Sequence, residues 1–333
     1  MIILAIETSC DDTSIAIFKN DKLLAINTKS QIKIHNLTGW VVPEVAAREH
    51  ANAIFEVLEN VLKSTYTKEN VPLLIQDIDY IAVTKEPGLI PSLLTWITVA
   101  RTLWKILNKP ILELNHIEGH IFSNFLERNE NDIKFPLVCL TVSGWHNDIY
   151  FMKNMWSLEK IWASGDDAAG ESYDKVAKMM WLSYPGWPII SKLASEYVKI
   201  WFITSKKKLF PRVWLQKNNF DFSFSGLKSA VKREIDKRGR LSLEDKREIS
   251  FEFQNAVNEV LAKKLINSAL EKKVKTIMLA GWVSANDDLK NKIKILAYEN
   301  NLNFIFPVKN LYCIDNAAMI WILAYYKIKH CKF

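Results

Sequence analysis

Residues 1–28 read MIILAIETSCDDTSIAIFKNDKLLAINT. Three apolar runs, MIILAIE, SIAIFKN and KLLAINT, are separated by polar turn residues, which is the pattern of three short strands joined by tight turns. A helix is expected next, from Pro43 to Ser64. Proline suits its first turn, and Ile54, Leu58, Val61 and Leu62 share one stripe. DYIAVT (79–84) reads as a buried strand. SLLTWITVARTLWKIL (92–107) reads as a helix that is apolar almost all round and stops before Pro110, and KPILEL (109–114) as a further strand.

A second round starts at residue 135. FPLVCLTVS, NDIYFMKN and SLEKIWAS are again three short strands, and DDAAGESYDKVAKMMWL (166–182) is a helix with acidic residues in its first turn, where the helix dipole favours them. A long helix runs from a Ser242 cap through Ile249, Phe253, Val257 and Leu261. VKTIMLA is a buried strand, KNKIKILAYEN a helix, NFIFPV an edge strand, and IDNAAMIWILAYYK a closing helix. The order strand–strand–strand–helix–strand–helix thus occurs twice without useful residue identity. It predicts an α/β chain of two lobes around a cleft, the first formed by 1–110 plus 310–333 and the second by 111–309.

Composition narrows the classes. The chain has 333 residues, 49% of them hydrophobic, yet no apolar run reaches the ~18 residues that would span a bilayer. The N-terminus has no basic leader. Cys10, Cys139, Cys313 and Cys331 are scattered with no CxxC pair, which fits a reduced, cytoplasmic protein and no disulfide scaffold. The net charge of +7 is compatible with a polyanion such as RNA, and equally with a general bias towards Lys, Asn and Ile. Lys206–Lys217 and the helix LKSAVKREIDKRGR are the basic segments that could meet it.

The chemistry-bearing pattern is NHIEGH (115–120). On a helix, His116 and His120 lie one above the other and can reach a single ion; they can equally be two structural rings on one face. Zinc proteases with this spacing place a Glu directly after the first His, whereas Ile117 stands here. Asp315, ahead of the closing helix, could supply a third ligand or simply cap that helix. Two His and one Asp with open positions would suit Fe(II) or Zn(II). The Gly- and Ser-bearing turns ETSCDDTS, TVSGWHND, TKEPGLIPS, YPGWP and LAGWVSAND follow strands or precede helices, as nucleotide-binding turns do.

Together the strings LAIETSCDDTSIAIF, VVPEVAAREH, NHIEGH, VSGWH, DDAAGESYDKVAK, YPGWP, DFSFSGLKSAV, LAGWVSAN and DNAAM resemble, in order from Ile3 to about Tyr326, the tRNA N6-adenosine threonylcarbamoyltransferases. The resemblance implies an actin/Hsp70/sugar-kinase-like duplicated fold. It implies transfer of a threonylcarbamoyl group from threonylcarbamoyl-AMP to N6 of adenosine 37 in tRNAs reading ANN codons. His116, His120 and Asp315 match the family's metal ligands, for one divalent ion, Fe(2+) ahead of Zn(2+). Thr141, Val142, Ser143, Gly144 and Trp145 match the loop that touches the adenylate, and Asp174 the carboxylate that binds ribose. Gly186 and Trp187 border the same site, and Asn286 is the asparagine near the nucleotide. Implied partners are tRNA, a TsaB-type paralogue of the same fold and a TsaE-type P-loop ATPase.

The chain departs from the family pattern at tryptophan. Trp40, Trp145, Trp187 and Trp282 each follow a glycine where the family has two. Trp96, Trp156, Trp162, Trp181 and Trp321 also stand in for glycine. Indoles at Trp145, Trp187 and Trp282 would crowd the nucleotide pocket, so a non-catalytic member that keeps only the metal triad is a competing expectation. An ATPase or sugar kinase on the same fold is another, with Asp11 or Asp12 as its carboxylate.

Overall fold

A computed structural model describes residues 1–65, 73–144, 147–201, 208–212 and 221–331. The chain divides into two units, Met1–Arg128 with Pro307–Phe333, and Asn129–Phe306.

In the first unit, β1 (Ile2–Glu7), β2 (Asp12–Lys19) and β3 (Lys22–Ser30) form an antiparallel meander. Asn20 takes a left-handed conformation (φ 54°) in the two-residue turn between β2 and β3, a turn type that suits the twist of paired strands. After a single helical turn, α1 (Ile32–His35), comes α2 (Pro43–Lys63), with Pro43 in its first turn as expected. β4 (Tyr80–Glu86), α3 (Ile90–Leu107), β5 (Ile111–Asn115) and α4 (His116–Phe122) follow. The sheet order is β3-β2-β1-β4-β5, with β1, β4 and β5 parallel. β1 is buried from its second residue on, as a strand covered on both faces must be. Leu4, Ile6, Ile15 and Ile17 pack with Val57, Val61, Leu93 and Trp96 of α2 and α3. The all-round apolar character of α3 has a different outcome: Trp96 and Ala100 are buried, while Ile90, Leu94, Trp104 and Ile106 face solvent.

The second unit repeats the plan. β6 (Leu137–Val142), β7 (Asn147–Met152) and β8 (Leu158–Trp162) form the meander. Next are α5 (Ala169–Met179), α6 (Gly186–Trp201), α7 (Ser225–Arg238) and α8 (Leu243–Glu271), then β9 (Thr276–Ala280), α9 (Asp287–Glu299) and β10 (Asn303–Ile305). The order β10-β9-β6-β7-β8 matches the first sheet strand for strand, and β10 is the expected edge. Ser242 caps α8 reciprocally with Asp245. Phe253, Val257 and Leu261 of α8 are fully buried in this unit's core. α10 (Ala317–Lys329) returns to the first unit, packing on β1 and β2, where Trp321 stacks on Phe18.

Among the boundaries that differ from expectation, two have a clear cause. The first unit extends to Arg128 rather than 110, because β5 pairs with β4 and α4 packs on α10. α5 starts at Ala169, so Asp166 and Asp167 precede the helix instead of filling its first turn. Asp166 accepts from Ser223 Oγ, Ser225 Oγ and the Phe224 backbone N–H, and Asp167 pairs with Lys175 and Lys228.

Candidate metal centre and glycine-lined loops

α4 begins immediately after β5. Its cap is Asn115, whose side-chain oxygen accepts from the backbone N–H groups of Ile117 (2.9 Å) and Glu118 (3.1 Å). The helical turn this cap starts brings the His116 and His120 rings edge to face, with centroids 4.6 Å apart. Asp315 enters from the segment before α10. Its Oδ1 lies 2.9 Å from His120 Nε2 and 3.7 Å from His116 Nε2. Asp315 does not cap α10; Asn316 does, accepting from the Ala318 N–H. One donor atom from each of the three residues falls within 4.8 Å of the others.

The donor set fits a cation. His120 is 1% exposed; its Nε2 lies 2.9 Å from Asp315 Oδ1, and its Nδ1 has no hydrogen-bond partner among the described residues. A buried imidazole left this way is costly unless another partner takes the lone pair. Asp315 is resisted by burial, but the charge of His116 and the contact with His120 hold its carboxyl down at about 2. Burial also opposes charging His116, and the Glu7 and Asp315 carboxylates override it, pushing the imidazole up to about 9. Two imidazoles and one carboxylate are donors that iron(II) and zinc(II) accept.

Sequence reasoning placed Glu7 only in a turn. The structure buries it completely, with Oε1 accepting from the Ser9 N–H at 2.6 Å and Oε2 from the Thr84 hydroxyl, 3.2 Å from His116 Nδ1. The signal for this was topological: β1, β4 and β5 are parallel neighbours, so their C-terminal ends bring Glu7, Thr84 and His116 to one edge. Asp11 and Asp12 lie in the adjoining turn, where burial and then the Asp11 charge push Asp12 up to about 7.

The other expected site residues lie in the second unit. Thr141 and Val142 end β6 and are buried; Ser143 and Gly144 continue into the loop, and Trp145 lies outside the described residues. Glu171 N–H donates to Gly144 O at 2.8 Å, tying the loop to the first turn of α5. Three glycines permit this packing. A Cβ at Gly170 would stand 2.6 Å from Ser143 O, and one at Gly186 would stand 2.6 Å from Tyr173 O. One at Gly281, whose φ is +88°, would stand 2.4 Å from Val142 O. Asp174 Oδ1 accepts from the Gly186 N–H at 2.7 Å and so sets the start of α6. Asn286 is 1% exposed and caps α9, its amide also bonded to Gln254 and Asn258. The Trp187 and Trp282 rings meet edge to face at 5.6 Å, and Trp282 Nε1 lies 3.7 Å from the Cβ position of Gly144. Both indoles therefore sit at the loops that the resemblance assigns to the adenylate. Of the basic segment 206–217, only 208–212 are described; Arg212 there pairs with Glu259.

A profile of the tRNA N6-adenosine threonylcarbamoyltransferases matches residues 22–322. The protein of that name from Fusobacterium nucleatum is 42% identical over 335 residues, covering 100% of this chain and 93% of its own length. The one from Staphylococcus haemolyticus is 43% identical over 327 residues, covering 98% and 91%. Among solved structures, full-length HypF in its phosphate- and nucleotide-bound form superposes with a TM-score of 0.62 at 12% identity, over 100% of this chain and 47% of HypF. Component A of (R)-2-hydroxyglutaryl-CoA dehydratase from Acidaminococcus fermentans gives 0.53 at 14% identity, over 99% of both chains. At such identities the likeness concerns the fold, the duplicated α/β fold of the actin, Hsp70 and sugar-kinase type.

Proposed function

This chain belongs to the tRNA N6-adenosine threonylcarbamoyltransferase family, and we propose that His116, His120 and Asp315 are the residues with which it holds one divalent metal ion, Fe(2+) in preference to Zn(2+). Its activity is the formation of N6-threonylcarbamoyladenosine at position 37 of tRNAs that read ANN codons. The donor is threonylcarbamoyl-AMP. The N6 lone pair of adenosine forms the new C–N bond at the carbamoyl carbon. The C–O bond to phosphate breaks, AMP leaves with that electron pair, and the amine proton passes to solvent.

The convergence of three donor atoms from two distant segments within 4.8 Å is the observation that carries the reading. A bound ion supplies Lewis acidity and fixed positive charge where negative charge develops on the acyl and phosphate oxygens. The chain's own residues supply rigidity: α4 sets the imidazole pair, and burial of both rings limits water at their nitrogens. Ser143 and Gly144 present backbone groups to the adenylate, and Asp174 meets its ribose. A TsaB-type paralogue and a TsaE-type ATPase complete the system in the cytoplasm. No described helix is long and apolar enough to cross a membrane. A peptidase reading lacks its base, since Ile117 occupies the position after His116.

The test is reconstitution with tRNA, threonine, bicarbonate, ATP and the two partner proteins, scoring modified adenosine by nucleoside mass spectrometry. Modification that disappears with Asp315→Ala supports the reading. Full modification by that variant overturns the metal assignment, and none by the unaltered chain overturns the activity.

A further inference from the structure

We propose that Glu7 is a positioning residue for the metal centre: it accepts the Nδ1 proton of His116 and so commits Nε2 of that ring to the ion. The inference rests on the three-residue ligand set above. Glu7 is fully buried, and both of its oxygens are engaged by fixed donors, the Ser9 N–H and the Thr84 hydroxyl. Its Oε2 is 3.2 Å from His116 Nδ1, while the Nε2 of the same ring faces Asp315. A carboxylate behind a ligating histidine fixes its tautomer and ring orientation and makes it a better donor. Charge gives a second reason. Glu7, fully buried, and Asp315, partly buried, are two carboxylates beside two buried imidazoles, and a doubly charged cation balances them with both rings neutral.

The experiment uses Zn(2+) as a diamagnetic probe. In the unaltered, zinc-loaded protein, long-range proton–nitrogen correlation of labelled histidines is expected to show His116 protonated at Nδ1 and ligating through Nε2. Ligation through Nδ1 would overturn the proposal. Glu7→Gln is expected to weaken zinc binding about 10- to 100-fold, with Glu7→Asp recovering part of the loss and melting temperature changing in neither in proportion. Unchanged zinc affinity in a folded Glu7→Gln protein would also overturn it. Loss of Asp315 would instead abolish binding, so failure of the ligand set is distinguishable from failure of the Glu7 role.

A second inference has a separate basis. The chain contains 10 glycines and 12 tryptophans, and together they make up about the ~7% that glycine alone usually contributes. Four of the described tryptophans sit where indoles are poorly served. Trp181 is left-handed (φ 56°) and 91% exposed. Trp96 and Trp321 are almost wholly buried, and their indole N–H groups, like that of Trp187, have no hydrogen-bond partner among the described residues. Buried indoles ordinarily find an acceptor, and a positive φ is ordinarily glycine's. Trp40, Trp145, Trp187 and Trp282 each directly follow a glycine. We infer that these positions are glycine in the protein its source cell makes, the codon UGA being decoded there as glycine. Tandem mass spectrometry of peptides from the protein isolated from that cell decides it. Glycine at Trp181, Trp187 and Trp282 is expected, with each peptide lighter by the difference between the two residues; tryptophan at those positions would overturn the inference.

Discussion

At Trp181 a bulky side chain follows α5 in a backbone conformation that costs a non-glycine residue about 1–2 kcal/mol. Because the ring is 91% exposed, removing it forfeits almost no burial. Trp181→Gly should therefore stabilise the protein by about 1 kcal/mol or slightly less, once glycine's extra unfolded-state entropy is counted; chemical denaturation checks this. The His116 ring supports a prediction of opposite character. Glu7 and Asp315 hold its proton up to a pH of about 9, and a ligating imidazole must be neutral, so metal uptake expels that proton. Affinity for zinc should climb with pH by up to about tenfold per unit below about 9 and level off above it, which calorimetry in buffers of different ionisation heat can follow. Single residues also mark how far the sequence could be read. The spacing of His116 and His120 was visible in it, but that Asp315 does not cap the closing helix was visible only in the structure, where Asn316 does the capping. Glu7 was out of reach, because its role depends on which strands lie side by side.

Among the elements, α4 is short, and its first turn depends on Asn115. Asn115→Ala should cost about 1 kcal/mol and loosen the histidine pair, with zinc affinity falling about fivefold if that ordering cost is carried into binding. Competition against a chromogenic chelator would measure it, and an unchanged affinity would mean the pair is held by packing alone. Strands were legible because apolar runs broken by polar turns leave few other readings. α6 was not legible: Tyr184–Pro188 reads as a turn, yet Pro188 falls within the first turn of a helix, where it is tolerated. Acidic Asp166 and Asp167 misled in the opposite direction, since all the partners of Asp166 and one of the two lysines of Asp167 lie on or just before α7, far along the chain.

For the whole molecule, the repeated order of elements was enough to anticipate two α/β units, and the two sheets have equivalent strand orders. The division between the units was not, because β5 follows its pairing with β4 and α4 follows α10. The net charge of +7 also belongs to this scale. Binding of tRNA should weaken steeply with salt, and Lys232→Glu with Arg233→Glu on α7 should lower the slope of log affinity against log salt by about 1–2 if that helix meets phosphate. The central claim remains that two imidazoles and a carboxylate from distant segments hold one ion for the transfer reaction. Its most direct measurement is the metal stoichiometry of chelator-treated protein reloaded anaerobically with Fe(2+) or Zn(2+), beside Asp315→Ala. One ion per chain, lost in the variant, is the predicted result; equal metal content in a folded Asp315→Ala protein would contradict it.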